Sequence, residues 1–253
     1  MMKNSIAVIT GGNRGLGKNG ALKLAARGIG IVLTYRSHAE EAEAVVREIR
    51  DLGVNAVALP LDVGMTAQFD RFTEQLRTVL QQVWQRQDFD MLINNAGHGH
   101  YQLFSETREE DFDALVNVHL KGPYFLTQKL LPLLRDGGRI LNISSGLTRV
   151  TFPGSATYAA VKGAMEVLTR YQAKELGGRR IRVNVLAPGA VETDFGGGRT
   201  RDNQQVNAAI ASQTALGRVG LPDDIGDAIA MVLSDESGWI NAQRIEVSGG
   251  LAL

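Results

Sequence analysis

The sequence predicts an α/β fold: a doubly wound parallel sheet of Rossmann type, with helices on both faces and a single domain. Two observations predict it. Short apolar runs rich in Ile, Val and Leu alternate with longer helix-period segments almost from end to end, the pattern of repeated β-α-β units. Between the first run and the first helix lies a glycine-rich turn, Thr10 to Gly17, with Gly11, Gly12, Gly15 and Gly17 inside it. Strand, glycine turn and helix in that order present backbone N–H groups and the positive end of a helix dipole to a pyrophosphate. At 253 residues, with no Pro/Ser-rich linker and no internal repeat, the chain suits one domain spanning 1–253.

The elements follow in order. Ile6-Ala7-Val8-Ile9 reads as the first strand, with the helix of Leu16 to Ala25 behind the turn. Ile29 to Tyr35 reads as the second strand, followed by a charged amphipathic helix from about His38 to Leu52. Ala56 to Leu59 is the third strand, Phe69 to Val83 a helix, and Met91-Leu92-Ile93 the fourth strand. One long helix is expected over roughly Glu109 to Leu134, then a strand at Arg139 to Ile143. A helix from about Ser155 to Leu176 leads into a strand at Ile181 to Leu186. The last third holds a polar loop, a helix from about Asp223 to Ser234, and a strand at Arg244 to Val247. Sheets of this kind bind ligands beyond the carboxyl ends of their strands, so the residues just after each strand are the candidates.

Composition narrows the function. Lys plus Arg equals Asp plus Glu, 27 each, which argues against nucleic acid or an anionic membrane surface as partner. Without cysteine there is no disulfide framework, thiolate zinc site or cysteine nucleophile. Four histidines with no carboxylate cluster beside them argue against a metal site. No apolar run approaches membrane-spanning length and the first strand leaves no room for a signal peptide, so a cytoplasmic protein is expected.

Tyr158 and Lys162 stand four apart in a helical segment, on one face and one turn apart. The plain reading is a buried tyrosine beside a snorkelling lysine. The chemical reading is a phenol, ordinarily with a pKa near ~10, whose ionised form a neighbouring ammonium favours. Ser144 and Ser145 close the fifth strand and point to opposite faces, so one of the two can serve that site. Asn117, inside an apolar helix, needs buried partners. His98, His100 and His119 read as lining or packing residues, and Arg179, Arg180 and Arg182 complement a helix C-terminus.

Asn94-Asn95-Ala96-Gly97, Asn117, Ser144-Ser145-Gly146, Tyr158-Ala159-Ala160-Val161-Lys162 and Pro188-Gly189 with Thr193 follow the glycine turn in sequence order. In this the chain resembles the short-chain dehydrogenase/reductase family, from Ile6 to Ser248-Gly249-Gly250, and most of all its 3-oxoacyl-carrier-protein reductase-like and glucose-dehydrogenase-like branches. The resemblance implies a catalytic set of Asn117, Ser145, Tyr158 and Lys162. Tyr158 would donate the proton in reduction, Lys162 would hold the phenol's charge and the nicotinamide ribose, and Ser145 would orient the substrate oxygen. Asn117 would hold a water chain leading from the lysine. The family spacing selects Ser145 over Ser144. It also implies cofactor contacts from Gly11, Asn13, Arg14, Gly15, Leu16 and Gly17, from Tyr35, Arg36 and Ser37, and from Asp62 and Val63. Asn94, Ala96 and Gly97, then Pro188, Gly189, Val191 and Thr193, complete the implied contacts, with Tyr158 and Lys162 reaching the ribose.

Thr34-Tyr35-Arg36-Ser37 carries no carboxylate at the end of the second strand, where one would bind a ribose 2′-OH. Arg36 and Arg14 suit a 2′-phosphate instead, so NADP(H) is expected over NAD(H). The expected activity is hydride transfer between NADP(H) and a carbonyl or secondary alcohol, such as 3-oxoacyl thioester reduction. A sugar or polyol dehydrogenase using either cofactor is the enzyme alternative, and a non-catalytic cofactor sensor the alternative of another class. The resemblance also implies a homotetramer, since the helices over Asn117–Leu134 and Ser155–Leu176 carry apolar residues on more than one face. Arg179 hints at a carrier-bound acyl partner, and the polar segment at about 194–216 reads as a mobile substrate loop.

Overall fold

The computed structural model describes residues 4–253. In chain order it runs β1 (Ile6–Ile9), α1 (Gly15–Ala25), β2 (Gly30–Tyr35), α2 (Ala39–Asp51), β3 (Ala56–Pro60), α3 (Phe69–Trp84) and β4 (Phe89–Asn94). The second half continues through α4 (Glu109–Val116), α5 (Gly122–Leu130), β5 (Leu134–Ile143), α6 (Ala156–Glu175) and β6 (Arg182–Pro188). Then come α7 (Arg199–Asp202), α8 (Gln204–Ser212), α9 (Pro222–Val232) and β7 (Arg244–Val247).

All seven strands are parallel, in the order β3-β2-β1-β4-β5-β6-β7. Alternation along β1 shows why its residues read as one apolar run. Ala7 and Ile9 pack against Leu24, Val45, Ile49 and Ile229 of α1, α2 and α9. Ile6 and Val8 face the other way, among Phe72, Leu76, Leu126 and Leu130 of α3 and α5. A strand buried on both faces has no polar side to show. The strand order reverses between β1 and β4, which opens a crevice at their carboxyl ends, where Thr10–Gly17 and Asn94–Gly97 stand.

Two elements differ from expectation. The long helix over Glu109–Leu134 is broken by a single π turn at Asn117–Lys121, and β5 already begins at Leu134. At Gly122 a Cβ would meet the Val63 carbonyl oxygen at 2.2 Å, so only glycine lets α5 start this close to the end of β3. The polar segment after β6 is not structureless. It holds α7 and α8, and three consecutive left-handed glycines, Gly196, Gly197 and Gly198, turn the chain into them.

Candidate active site

The glycine turn is held from two sides. The Gly11 N–H donates to Thr34 Oγ1 (3.3 Å) and the Gly12 N–H to the Thr34 carbonyl (2.9 Å), fixing the turn on β2. Asn95 Nδ2 donates to the carbonyls of Thr10 (2.9 Å) and Gly11 (3.0 Å), tying it to the end of β4. At Gly17 a Cβ would meet the Gly11 carbonyl at 2.2 Å, so α1 can begin here only with glycine. The first N–H groups of α1 then face the crevice with no acceptor in their own helix.

Around that crevice stand most of the residues singled out in the sequence. Arg14, Arg36 and Ser37 are exposed and Tyr35 is half-buried. Among the described residues no carboxylate pairs with either arginine. Asn13 Nδ2 donates to Glu41 (3.1 Å). Asp62 Oδ1 accepts from the Gly64 N–H (2.9 Å), with buried Val63 between them. Gly189, after Pro188, donates to the Val247 carbonyl, Val191 bridges Gly220, and Thr193 Oγ1 accepts from the Phe195 N–H. Gly15 lies across from the Thr193 side chain, Leu16 follows it, and Ala96 and Gly97 line the turn's opposite bank. Asn94 departs from the set. Its amide donates to Asn142 (2.8 Å) and Thr127 (3.0 Å), and Asn142 donates on to Thr169, a buried ladder behind the sheet.

At the centre, Tyr158 and Lys162 are buried on α6 beneath the end of β5. Lys162 Nζ donates to the Ile143 carbonyl (2.7 Å) and lies 5.6 Å from the centre of the Tyr158 ring. Burial decides both titrations. It pushes the Tyr158 phenol above its ordinary value, against a smaller opposing effect of the Ser145 hydroxyl, and brings Lys162 down to about 7. Without a cofactor, desolvation is the larger effect on the phenol and keeps its proton in place. The tyrosine rests in its proton-donating form. Ser145 Oγ accepts from the Leu147 N–H (3.2 Å), whereas Ser144 turns away and donates to Glu166 (2.7 Å).

Asn117 is half-buried on the π turn, which packs against α6. The residue two places on touches Tyr158 directly. His119 is buried with its ring edge-on to Tyr158 (centroids 5.2 Å apart), and its Nε2 lies 2.8 Å from the His98 carbonyl. Burial first, and Lys162 second, hold His119 well below the ordinary histidine range, so the ring is neutral. A histidine inside an apolar helix was the available signal.

The mouth is aromatic. Phe195 leans over Tyr158 (5.8 Å between centroids), His98 lies 5.4 Å from His119, and the Arg199 guanidinium caps the Tyr101 ring at 5.7 Å. His98 is also held below its ordinary value, chiefly by burial. Arg179, by contrast, is spent on structure: Nε donates to Asp136 (2.7 Å), and the two terminal nitrogens donate to the carbonyls of Leu131 and Leu134. Among the described residues, no group of three His, Asp or Glu side chains could hold a metal ion, and no helix is long and apolar enough to cross a membrane.

Known proteins share this arrangement. A family model described as enoyl-(acyl carrier protein) reductase matches residues 11–252. A 3-oxoacyl-[acyl-carrier-protein] reductase of Staphylococcus aureus is 34% identical, over 99% of both chains. A hydroxynaphthalene reductase-like protein of Metarhizium brunneum is also 34% identical, covering 98% of this chain and 95% of its own. The crystal structure of an angucycline C-6 ketoreductase with bound NADP superposes with a TM-score of 0.94 at 33% identity, covering 99% of this chain and 96% of that one. Matched from its glycine turn to its last strand, the chain belongs to the short-chain dehydrogenase/reductase family of oxidoreductases.

Proposed function

We propose that the protein is an NADPH-dependent ketoreductase acting through Ser145, Tyr158 and Lys162. The observation that carries this reading is the buried, protonated Tyr158, with Ser145 beside it and Lys162 beneath it, at the strand ends where the crevice opens. The donor set fits a phosphorylated dinucleotide. The N–H groups at the head of α1, two guanidinium groups with no carboxylate partner among the described residues, and no acidic residue at the end of β2 all favour added negative charge. A related ketoreductase has been solved with NADP bound. Gly11 to Gly17, Arg14, Arg36, Asp62 and the Gly189–Thr193 segment would hold it, and it supplies the hydride.

The protein's own part is the oxygen of the ketone. Ser145 donates a hydrogen bond to it, Tyr158 donates the proton, and Phe195 keeps water from the phenol. Lys162, as the ammonium, would return a proton to the phenolate, become the neutral amine that burial favours, and regain its proton from solvent. His119, edge-on to Tyr158, and Phe195, tilted against it, hold the ring's orientation.

A 3-oxoacyl thioester and a flat aryl ketone both present a suitable carbonyl. The mouth favours the second, because Tyr101, Phe195 and the His98–His119 pair offer ring faces, while Arg179 has no donor to spare for an acidic carrier. The landomycin C-6 ketoreductase relative has been solved with NADP and rabelomycin together. The same rings argue against a polyol, which needs polar partners in the mouth. We also read the protein as a homotetramer, on the apolar residues left exposed along α4, α5 and α6.

The test follows NADPH absorbance with 2-tetralone, acetoacetyl thioesters, quinones and aldoses, repeated with NADH. The expected result is turnover of the aryl ketone with a higher kcat/KM for NADPH than for NADH. Tyr158→Phe should lower kcat by about 10²–10⁴-fold while NADPH still binds. Turnover unchanged in that variant overturns the mechanism. NADPH binding without turnover of any substrate supports the sensor reading instead.

A further inference from the structure

The Ser145 hydroxyl has little holding it in place. Apart from Tyr158, its one contact is the Leu147 N–H, so its position is inherited from the backbone of the loop after β5. That backbone is held from a single point. Glu166 Oε1 accepts from Ser144 Oγ (2.7 Å), from Thr148 Oγ1 (2.7 Å) and from Arg244 Nε (2.9 Å). Ser144 and Thr148 flank Ser145 on both sides. The Ser145 carbonyl lies 2.9 Å from Thr148 Oγ1, an alternative acceptor for that hydroxyl's one proton, and faces Arg244 Nη2 at 3.5 Å.

Glu166 stands one turn beyond Lys162, which stands one turn beyond Tyr158, so one face of α6 carries all three. Arg244 lies on the sheet's edge strand, β7, and its other arm donates to Glu246 (2.9 Å), which also pairs with Arg149 at 3.1 Å and accepts from Ser248. Two carboxylates and two guanidinium groups thus close a neutral quartet, and the Glu166 and Glu246 side chains are only 14% and 16% exposed. Burying such charges costs stability unless they are fully bonded, and breaking one partner strands the rest. The fork geometry matters: only a guanidinium can reach Glu166, Glu246 and Thr148 together.

We propose that Glu166 and Arg244 are positioning residues for the reaction, acting through Ser145 by clamping its loop between α6 and β7. The inference rests on the role proposed above for Ser145. It goes beyond that role in assigning the serine's alignment to two side chains that touch neither ketone nor cofactor.

The test is a double-mutant cycle on the holoenzyme. Glu166→Gln keeps the shape and loses the charge. It should lower kcat for ketone reduction by about tenfold while leaving the NADPH dissociation constant unchanged. Ser145→Ala should lower kcat further. In the double variant, Glu166→Gln should cost nothing beyond Ser145→Ala alone, because the clamp has no serine left to align. A merely structural role would instead give losses that multiply, together with weaker NADPH binding, and would overturn the proposal. So would an unchanged kcat in Glu166→Gln. If Glu166→Gln does not fold, Arg244→Lys carries the same cycle with the same expected and overturning outcomes. Should Ser145→Ala turn over like wild type, the role of Ser145 itself falls; a slow Ser145→Ala beside a fast Glu166→Gln sinks only the clamp.

Discussion

Lys162 shows how a single residue ties folding to chemistry. In the fold its pKa sits near 7, against 10.5 for an exposed lysine, because burial disfavours the ammonium. Between those values the unfolded chain binds a proton that the folded chain has shed, so stability rises with pH across that window. Tyr158 works in the opposite sense above about pH 10, where the unfolded phenol ionises and the buried one does not. Urea unfolding of the cofactor-free protein should therefore give a higher midpoint at about pH 9.5 than at about pH 7.5. His98 and His119, both held below the ordinary histidine range, do not contribute there. Lys162→Met should flatten the dependence, and an equally steep slope in that variant would show that the lysine folds charged.

At the scale of elements, Gly17 and Gly163 show one substitution with opposite outcomes. Gly17→Ala pushes a Cβ into the Gly11 carbonyl and the Asn95 amide, so it should cost about 1–3 kcal/mol and weaken NADPH binding at least about tenfold. Gly163→Ala, in the middle of α6 with open space around its Cβ, should stabilise by about 0.5–1 kcal/mol. Thermal unfolding with an NADPH fluorescence titration checks both; a benign Gly17→Ala would mean the turn can move. The strands were legible because burial on both faces makes each an apolar run, and the glycine turn because only glycine tolerates those approaches. Helix phase was not legible. One π turn re-phases the residues around 117–121, and the spacing from there to Ser145 depends on a connection whose length no local chemistry constrains. Hence the contact of His119 with Tyr158 was not legible in the sequence. The Glu166–Arg244 pair, 78 residues apart, is likewise invisible until β7 is laid beside β6.

For the whole molecule, the faces away from the sheet carry the remaining information. Phe112 on α4, Tyr124 and Phe125 on α5, and Val167 and Tyr171 on α6 are each more than 40% exposed, an apolar band of the kind that subunit contacts cover. Light scattering at micromolar concentration should report a tetramer, and replacing Tyr124 and Phe125 with serine should shift it to smaller species. A monomer in the wild type would refute the assembly.

Three left-handed glycines separate Phe195 from α7, while Thr193, on its other side, is proposed to hold the cofactor. The doorway and the workbench are thus built from different stretches of chain. On the proposed function, exchanging side chains between 199 and 216 should redraw the range of ketones turned over while Tyr158 keeps its place.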